Sequence, residues 1–411
     1  MQINYILFLI SLIILLGYLA EWAFKKINIP DTLLLIAVGF IIGPNILELI
    51  NPRALGQLAP LFTTFTLLFL MFDGALSIDL RSFTEGIGSG ISIGASNFFL
   101  STIIIGTIFY FLVHDVVLAL MLGFSLGGVS SAFIIPMLKQ ITVNKKTYSI
   151  MTLESALTDV LSIVFALTMM ELKILKTFEI NAVLSQIASL FFVAGVLGVL
   201  AGYLWIFIED KLIERDTNYM LTIAYVVLLY FITEYLGGNG AIAAMTFGIV
   251  IANSKILMNL AQKFREKRGR RKAAAEEVPA KIVNIVSRRE RMFYQEISFF
   301  LKTFFFVYIG LLLDVKNVTA VTVGTGIAVS VLLLRNVSSL LTKKFKEYDR
   351  LLINSLFARG IAPAAIILMA EVKNISIDQT IIDTVYFSIT ATIILSSIRV
   401  FIYKMKIKKS E

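Results

Sequence analysis

Two carboxylates stand in an otherwise apolar run, Glu154-Ser155-Ala156-Leu157-Thr158-Asp159-Val160-Leu161-Ser162-Ile163-Val164. Read as a helix, Ser155, Thr158, Asp159 and Ser162 fall at i, i+3, i+4 and i+7 and form one polar stripe. Glu154 lies five positions before Asp159, about 140° away at roughly 100° per residue, so the two acids face different surroundings. A carboxylate flanked by hydroxyls suits two kinds of chemistry. Out of water such a group holds a proton more readily than in solution. With hydroxyl and free carbonyl oxygens it also makes a ligand set for a small hard cation such as Na⁺. A proton and a cation competing for Asp159 displace one another, and exchange needs no further machinery. The plainer alternative is that Asp159 is one half of a buried ion pair.

The surroundings of this run set the conditions. Of 411 residues, 58% are hydrophobic and 16% charged, against about 25% charged in a soluble chain of ordinary composition. Mean hydropathy is +0.86. Apolar runs long enough to cross a hydrocarbon core of about 30 Å recur along the chain, and backbone in hydrocarbon must be helical to satisfy its own hydrogen bonds. The sequence therefore predicts an all-α polytopic membrane protein. The spans expected are 4–24, 32–50, 59–78, 87–113, 116–138, 148–171, 182–208, 218–236, 239–254, 296–313, 318–341, 349–371 and 379–403, thirteen in all. The first, from about Tyr5, is too long for a signal-peptide core and has neither a basic start nor a small-residue cleavage site.

Basic residues orient these spans. With the N-terminus outside, the cytoplasmic segments hold 28 Lys or Arg and the outer ones only five (Arg53, Lys173, Lys176, Lys316 and Lys373). That bias predicts a cytoplasmic C-terminus, with the plasma membrane as the default location. It also accounts for the net charge of +9 without nucleic acid. The hydrophilic insertion 255–295 reads as a cytoplasmic link, either a solvated linker or a binder of anionic lipid. The chain has no cysteine, which excludes disulfides and thiolate chemistry, and its one histidine, His114, sits in a connection before Asp115. With no nucleophile, base and oxyanion arrangement in view, an enzyme is not expected and no cofactor is implied.

A repeat appears between 67–80, LLFLMFDGALSIDL, and 304–315, FFFVYIGLLLDV, on spans 3 and 10. These run in opposite directions, as an inverted-topology repeat requires. The first repeat is then 1–181, the linking span 182–217, and the second repeat 218–411. Spans 5 and 12 should correspond, and both are interrupted: GFSLGGVSSAFIIP at 123–136 and FARGIAPAAI at 357–366. Glycine weakens a helix and proline removes a bond from it. Two broken helices crossing at mid-membrane would offer half-helix carbonyls and dipoles to an ion, although such residues also occur as simple kinks. Span 5, with Ser130 and Ser131 at its break, is the expected source of free carbonyls beside Asp159.

Few other charges remain deep: Asp73 in span 3, Arg335 in span 11 and Arg359 in span 12, with Glu234 intermediate. Each deep charge costs at least about 2.5–3.5 kcal/mol on insertion scales and so needs a partner or a task. Glu154 is expected to pair with Arg335, in SVLLLRNVSSLL at 330–341. Arg359 is expected to neutralise half-helix C-terminal dipoles. Asp73 either assists the cation or is a helix-end residue. Lys302 and Arg399 lie nearer helix ends, where they would snorkel.

These residues, in this order, resemble the monovalent cation/proton antiporter superfamily, particularly its sodium/proton exchangers. ESALTDVLSIV resembles that group's Glu-Ser-x-x-Asn-Asp helix, and LLFLMFDGALSIDL, the broken span 5, FFFVYIGLLLD and the Arg-Gly of span 12 extend the likeness over nearly the whole chain. The resemblance implies that Asp159 binds proton and cation (Na⁺, or Li⁺ or K⁺) and that Ser155 adds an oxygen. It implies that Glu154 pairs with Arg335 and that Asp73 borders the site. It further implies a homodimer in lipid, with a core containing spans 5, 6, 12 and 13 that moves like an elevator. Two departures stand out. Thr158 occupies the place of the usual Asn or second Asp, and Val129-Ser130-Ser131 stands where many sodium exchangers have Thr-Asp-Pro. The serine form is closer to the potassium-efflux branch. One working aspartate with an arginine-paired glutamate implies electroneutral one-for-one exchange. The competing readings are a transporter of an organic anion and an ion-regulated channel or sensor on the same scaffold.

Overall fold

The computed structural model describes residues 11–20, 22–23, 30–50, 59–76, 87–139, 141, 143, 145–175, 180–212, 219–254, 256–257, 286–337 and 347–408. Every regular element among the described residues is an α-helix, and there are 15. In chain order they are α1 (Ser11–Ala20), α2 (Asp31–Ile42), α3 (Ala59–Leu76), α4 (Ile87–Val113), α5 (Val116–Ser125), α6 (Ser131–Lys139), α7 (Lys145–Leu175) and α8 (Ile180–Leu212). Then follow α9 (Tyr219–Tyr235), α10 (Gly240–Ala252), α11 (Arg288–Leu312), α12 (Val318–Val337), α13 (Glu347–Ser355), α14 (Ile361–Val372) and α15 (Gln379–Lys408). Within α4, α7, α8, α11, α12 and α15 lie 6 stretches that are long and apolar enough to cross a membrane.

The chain forms two compact units: one of 1–66, 88–179 and 299–411, the other of 67–87 and 180–298. In the first, α7 packs on both α5 and α14, and α15 packs on α2, α12 and α13. In the second, α8 and α9 pack on α10, around a cluster of Phe72, Trp205, Tyr225, Phe247 and Tyr294 rings.

Both helices expected to be interrupted are interrupted. In place of one helix over 116–138, α5 ends at Ser125 and α6 begins at Ser131; in place of one over 349–371, α13 ends at Ser355 and α14 begins at Ile361. Asp115 starts α5 by accepting the Leu118 N–H at 3.0 Å, after a left-handed His114 that turns the chain. Pro363 falls in the first turn of α14, where a missing N–H costs nothing. The second expected span is shorter than its 32–50 reading, because α2 stops at Ile42 and Gly43 is extended. Pro44 follows, and a residue before proline is pushed out of the helical region. Most of the 255–295 insertion and the start of the first span lie outside the described residues.

Candidate functional site

The two breaks meet within the first unit. The Ser130 N–H donates to the Ala358 carbonyl at 2.9 Å, and a Cβ on Gly360 would collide with the Ser130 hydroxyl. Gly128 lies equally close to α7, where a Cβ would run into Ser162 Oγ and the Thr158 carbonyl. An unwound backbone inside protein must find partners for each freed group, and here the helix that follows each break supplies them. On α7, Thr158 Oγ1 accepts the Val129 N–H at 3.0 Å and Asp159 Oδ2 accepts the Ser131 N–H at 2.9 Å. On α15, Thr392 Oγ1 accepts the Arg359 N–H at 3.0 Å, and Ser396 Oγ donates to the Ser355 carbonyl at 2.7 Å.

The buried arginines have separate tasks. The Arg359 guanidinium reaches across to the first break, donating to the carbonyls of Gly127 (2.7 Å) and Gly128 and to Ser101 Oγ (3.0 Å). That puts a cation beyond the C-terminal end of α5, where the helix dipole favours one. Arg335, 2% exposed, forks onto Glu154, 0% exposed. Its Nη2 is 2.9 Å from Oε2, its Nη1 donates to Oε1, and its Nε donates to the Ile353 carbonyl at 3.0 Å. Asn97 Nδ2 adds a bond to Glu154 Oε1 at 3.2 Å. A planar fork matches a carboxylate in two parallel bonds, so Glu154 is fully engaged.

Asp159 is held differently. Both the N–H and the hydroxyl of Ser131 donate to the same oxygen, Oδ2. Ser131 is the first residue of α6, so the carboxylate also sits at a helix N-terminus, the favourable end for an anion. Oδ1 receives no donor among the described residues, and the side chain is only part-buried. Ser155, one turn before Asp159 on the same stripe, is fully buried and donates to the Thr152 carbonyl at 3.1 Å. Thr158 has its oxygen engaged in bracing Val129.

The other ionisable residues of the sequence expectation have partners of their own. Asp73 belongs to the second unit, where Ser298 Oγ donates to its Oδ2 at 2.6 Å. Lys302 does not snorkel: its Nζ reaches Asp31 Oδ2 at 2.6 Å, and Asp31 is 5% exposed. Arg399 donates to Asn336 Oδ1 at 2.8 Å and to the Asn354 carbonyl at 3.3 Å. Glu234 accepts the Gly240 N–H at 2.8 Å. Sequence reasoning also passed over Asp383, 2% exposed, which accepts from Asn317 and Gln379, each at 2.9 Å. The hydroxyl stripe of α15 was missed too, although Thr384, Ser388, Thr392 and Ser396 recur every fourth residue and so share one face.

Comparison with known proteins places this arrangement. The family model described as "Sodium/hydrogen exchanger, transmembrane" matches residues 11–405. The Na(+)/H(+) antiporter ApNhaP of Aphanothece halophytica is 27% identical over 241 residues, 56% of this chain and 44% of that protein. The K(+)/H(+) antiporter NhaP2 of Shewanella oneidensis is 21% identical over 238 residues, 56% of this chain and 40% of that protein. The matched part thus spans less than half the length of these curated relatives. The solved structure of the sodium proton antiporter MjNhaP1 from Methanocaldococcus jannaschii at pH 8 shares the fold, with a TM-score of 0.74 at 20% identity over 97% of this chain and 100% of that one.

Proposed function

The chain belongs to the sodium/hydrogen exchanger family, and we propose that it exchanges a monovalent cation for protons across a membrane at Asp159. The observation that carries this reading is the free oxygen of that carboxylate. Glu154, Arg335, Asp31, Lys302 and Asp383 are each closed by partners at hydrogen-bond distance. Asp159 combines part exposure with an oxygen that accepts nothing among the described residues; Asp73 has such an oxygen too, but of the two Asp159 is the one set against a helix break. Oδ1 is where a proton or a cation resides in turn.

The roles follow from the contacts. Asp159 carries the charge. The hydroxyls of Ser155 and Ser130 and carbonyls at the break are the candidate neutral ligands, oxygen atoms of the kind a hard cation takes. Thr158 and Ser131 hold the break in place. Glu154 and Arg335 tie α7 to α12, Arg359 balances the carbonyls of the first break, and Asp73 serves as an accessory acid. A proton and a monovalent cation leave the carboxylate with the same charge, so one-for-one electroneutral exchange follows. Na⁺ is the first substrate to test, with Li⁺ and K⁺ beside it. The same reading takes the chain as a multi-pass membrane protein of thirteen crossings, with repeats over 1–181 and 218–411 joined by 182–217. Its N-terminus lies outside and its C-terminus in the cytoplasm, and two copies pair in the plasma membrane. No resident cofactor enters the cycle.

Proteoliposomes carrying wild type and Asp159→Asn, with Na⁺, Li⁺ and K⁺ supplied in turn and internal pH recorded, test the reading. Proton flux driven by at least one ion and lost in Asp159→Asn is expected. Equal flux in the variant, or none with any ion in folded wild type, refutes it and turns attention to organic anions.

A further inference from the structure

We propose that Ser131 sets the ion preference of the site by weakening the field that Asp159 presents to the cation; this rests on the exchange reading above. Ser131 gives two donors to a single oxygen. Its N–H reaches Asp159 Oδ2 at 2.9 Å and its hydroxyl donates to the same atom. The N–H is there by construction. Ser131 opens α6, and a first-turn amide has no acceptor within its own helix. The hydroxyl then doubles an interaction that the backbone already fixes.

Donors on an ionised carboxylate form the stronger class of hydrogen bond and draw its charge toward themselves. Both lie on Oδ2, so the arriving cation meets Oδ1 of a carboxylate whose charge is already partly neutralised. Coulomb attraction varies as the inverse of distance. The smallest ion therefore gains most from a strong anion and loses most when the anion is weakened. The smallest ion is also the one whose hydration shell is hardest to remove. Two donors on Oδ2 thus move the preference along the series Li⁺, Na⁺, K⁺ toward the larger ion. Removing them moves it back toward the smaller.

The experiment is ion-driven proton flux in proteoliposomes, with KM measured for Na⁺, Li⁺ and K⁺ at one pH. Wild type is compared with Ser131→Ala, which loses the hydroxyl, and Ser131→Pro, which loses hydroxyl and N–H while suiting a helix start. Ser131→Thr keeps both donors. Proton competition raises the KM of each cation by the same factor, so the ratio of two KM values isolates the field. The KM for K⁺ divided by that for Na⁺ is expected to rise about threefold or more in Ser131→Ala, the scale of part of one charged hydrogen bond. It should rise further in Ser131→Pro and stay at the wild-type value in Ser131→Thr. The rise in Tm on adding each ion to the purified protein reads the same ratio in a variant that folds without turning over. A ratio that is unchanged while all KM values move together overturns the proposal and leaves Ser131 a structural brace. Absence of flux with every ion in wild type is a different result, and defeats the exchange reading itself.

Discussion

The buried pair of Glu154 and Arg335 gives the sharpest energetic test. Arg335→Leu removes the fork from both Glu154 oxygens and leaves a carboxylate at 0% exposure with Asn97 Nδ2, at 3.2 Å, as its remaining donor. An uncompensated buried charge of this kind costs about 3–5 kcal/mol. Glu154→Leu takes the carboxylate from a buried guanidinium that keeps, among its other contacts, its bond to the Ile353 carbonyl at 3.0 Å. The double variant has no charge left to strand. It forfeits the bonds of Asn97 and Ile353, about 1–3 kcal/mol for each group left unmet, and gains two apolar side chains of compatible bulk. Its total cost should therefore not exceed that of either single variant, which makes the coupling about 3 kcal/mol or more in a double-mutant cycle. Reversible unfolding of the four proteins in mixed detergent and SDS micelles, followed by circular dichroism, measures it. Additive costs, or a coupling below about 1 kcal/mol, would refute the view that the pair is buried and mutually dependent.

The breaks and the surface offer further tests. Thr158→Val leaves the Val129 N–H without its acceptor and Thr392→Val does the same to the Arg359 N–H; each should cost about 1–3 kcal/mol, read as a lower Tm of the purified protein. Gly360→Ala drives a methyl into Ser130, whereas nothing lies within 4 Å of the place where a Cβ would fall on Gly326. The first should destabilise by about 1–3 kcal/mol; the second, a helical position, should be neutral or stabilising by up to about 1 kcal/mol, and equal effects would undo the packing argument. At Asp115, burial pushes the carboxyl up, but the Leu118 and Val117 N–H groups and Lys173 outweigh it and hold the group below its ordinary value of 3.8. The contribution of a carboxylate depressed in the folded state is present above that ordinary value and fades as pH falls through the lower one. Asp115→Asn should therefore flatten the loss of stability on the acid side of about 3.8 and leave the neutral range parallel to wild type.

Much of the fold was readable because hydrocarbon allows so few answers. Glycine and proline in spans that should be unbroken marked both interruptions, and the place of Arg359 beside one of them pointed to its carbonyl partners. Depth was harder to read. Asp31 and Lys302 stood near the expected ends of their spans, yet they meet 271 positions apart in sequence. A helix that is apolar all round has no polar face to say which side is buried. Asp383 escaped notice for the same reason, near the start of the last expected span, with Asn317 as a partner 66 positions away. The length of α2 was a local matter: the proline at 44 outweighed the apolar residues that follow it.

The two breaks are braced in the same manner, and the difference between them explains why a carboxylate stands at one and not at the other. On α7 the brace is Thr158 followed by Asp159; on α15 it is Thr392, with Ser396 one turn on. In each case a threonine hydroxyl accepts an amide that the unwound chain has freed. At the first break a carboxylate then takes the amide of the new half-helix. At the second a neutral serine meets the last carbonyl of the old one. The charged residue of the second break, Arg359, turns away from its own segment to serve the carbonyls of the first. Both charges of the crossing thus lie at the first break, each at the helix end whose dipole suits it. Ser396 Oγ also accepts the Phe357 N–H at 3.5 Å, so an aspartate there would keep that donor but set an acceptor against the Ser355 carbonyl, and would weaken the crossing. The asymmetry therefore follows from which end of a half-helix each brace must satisfy, and it leaves one carboxylate at the crossing, the one proposed to exchange.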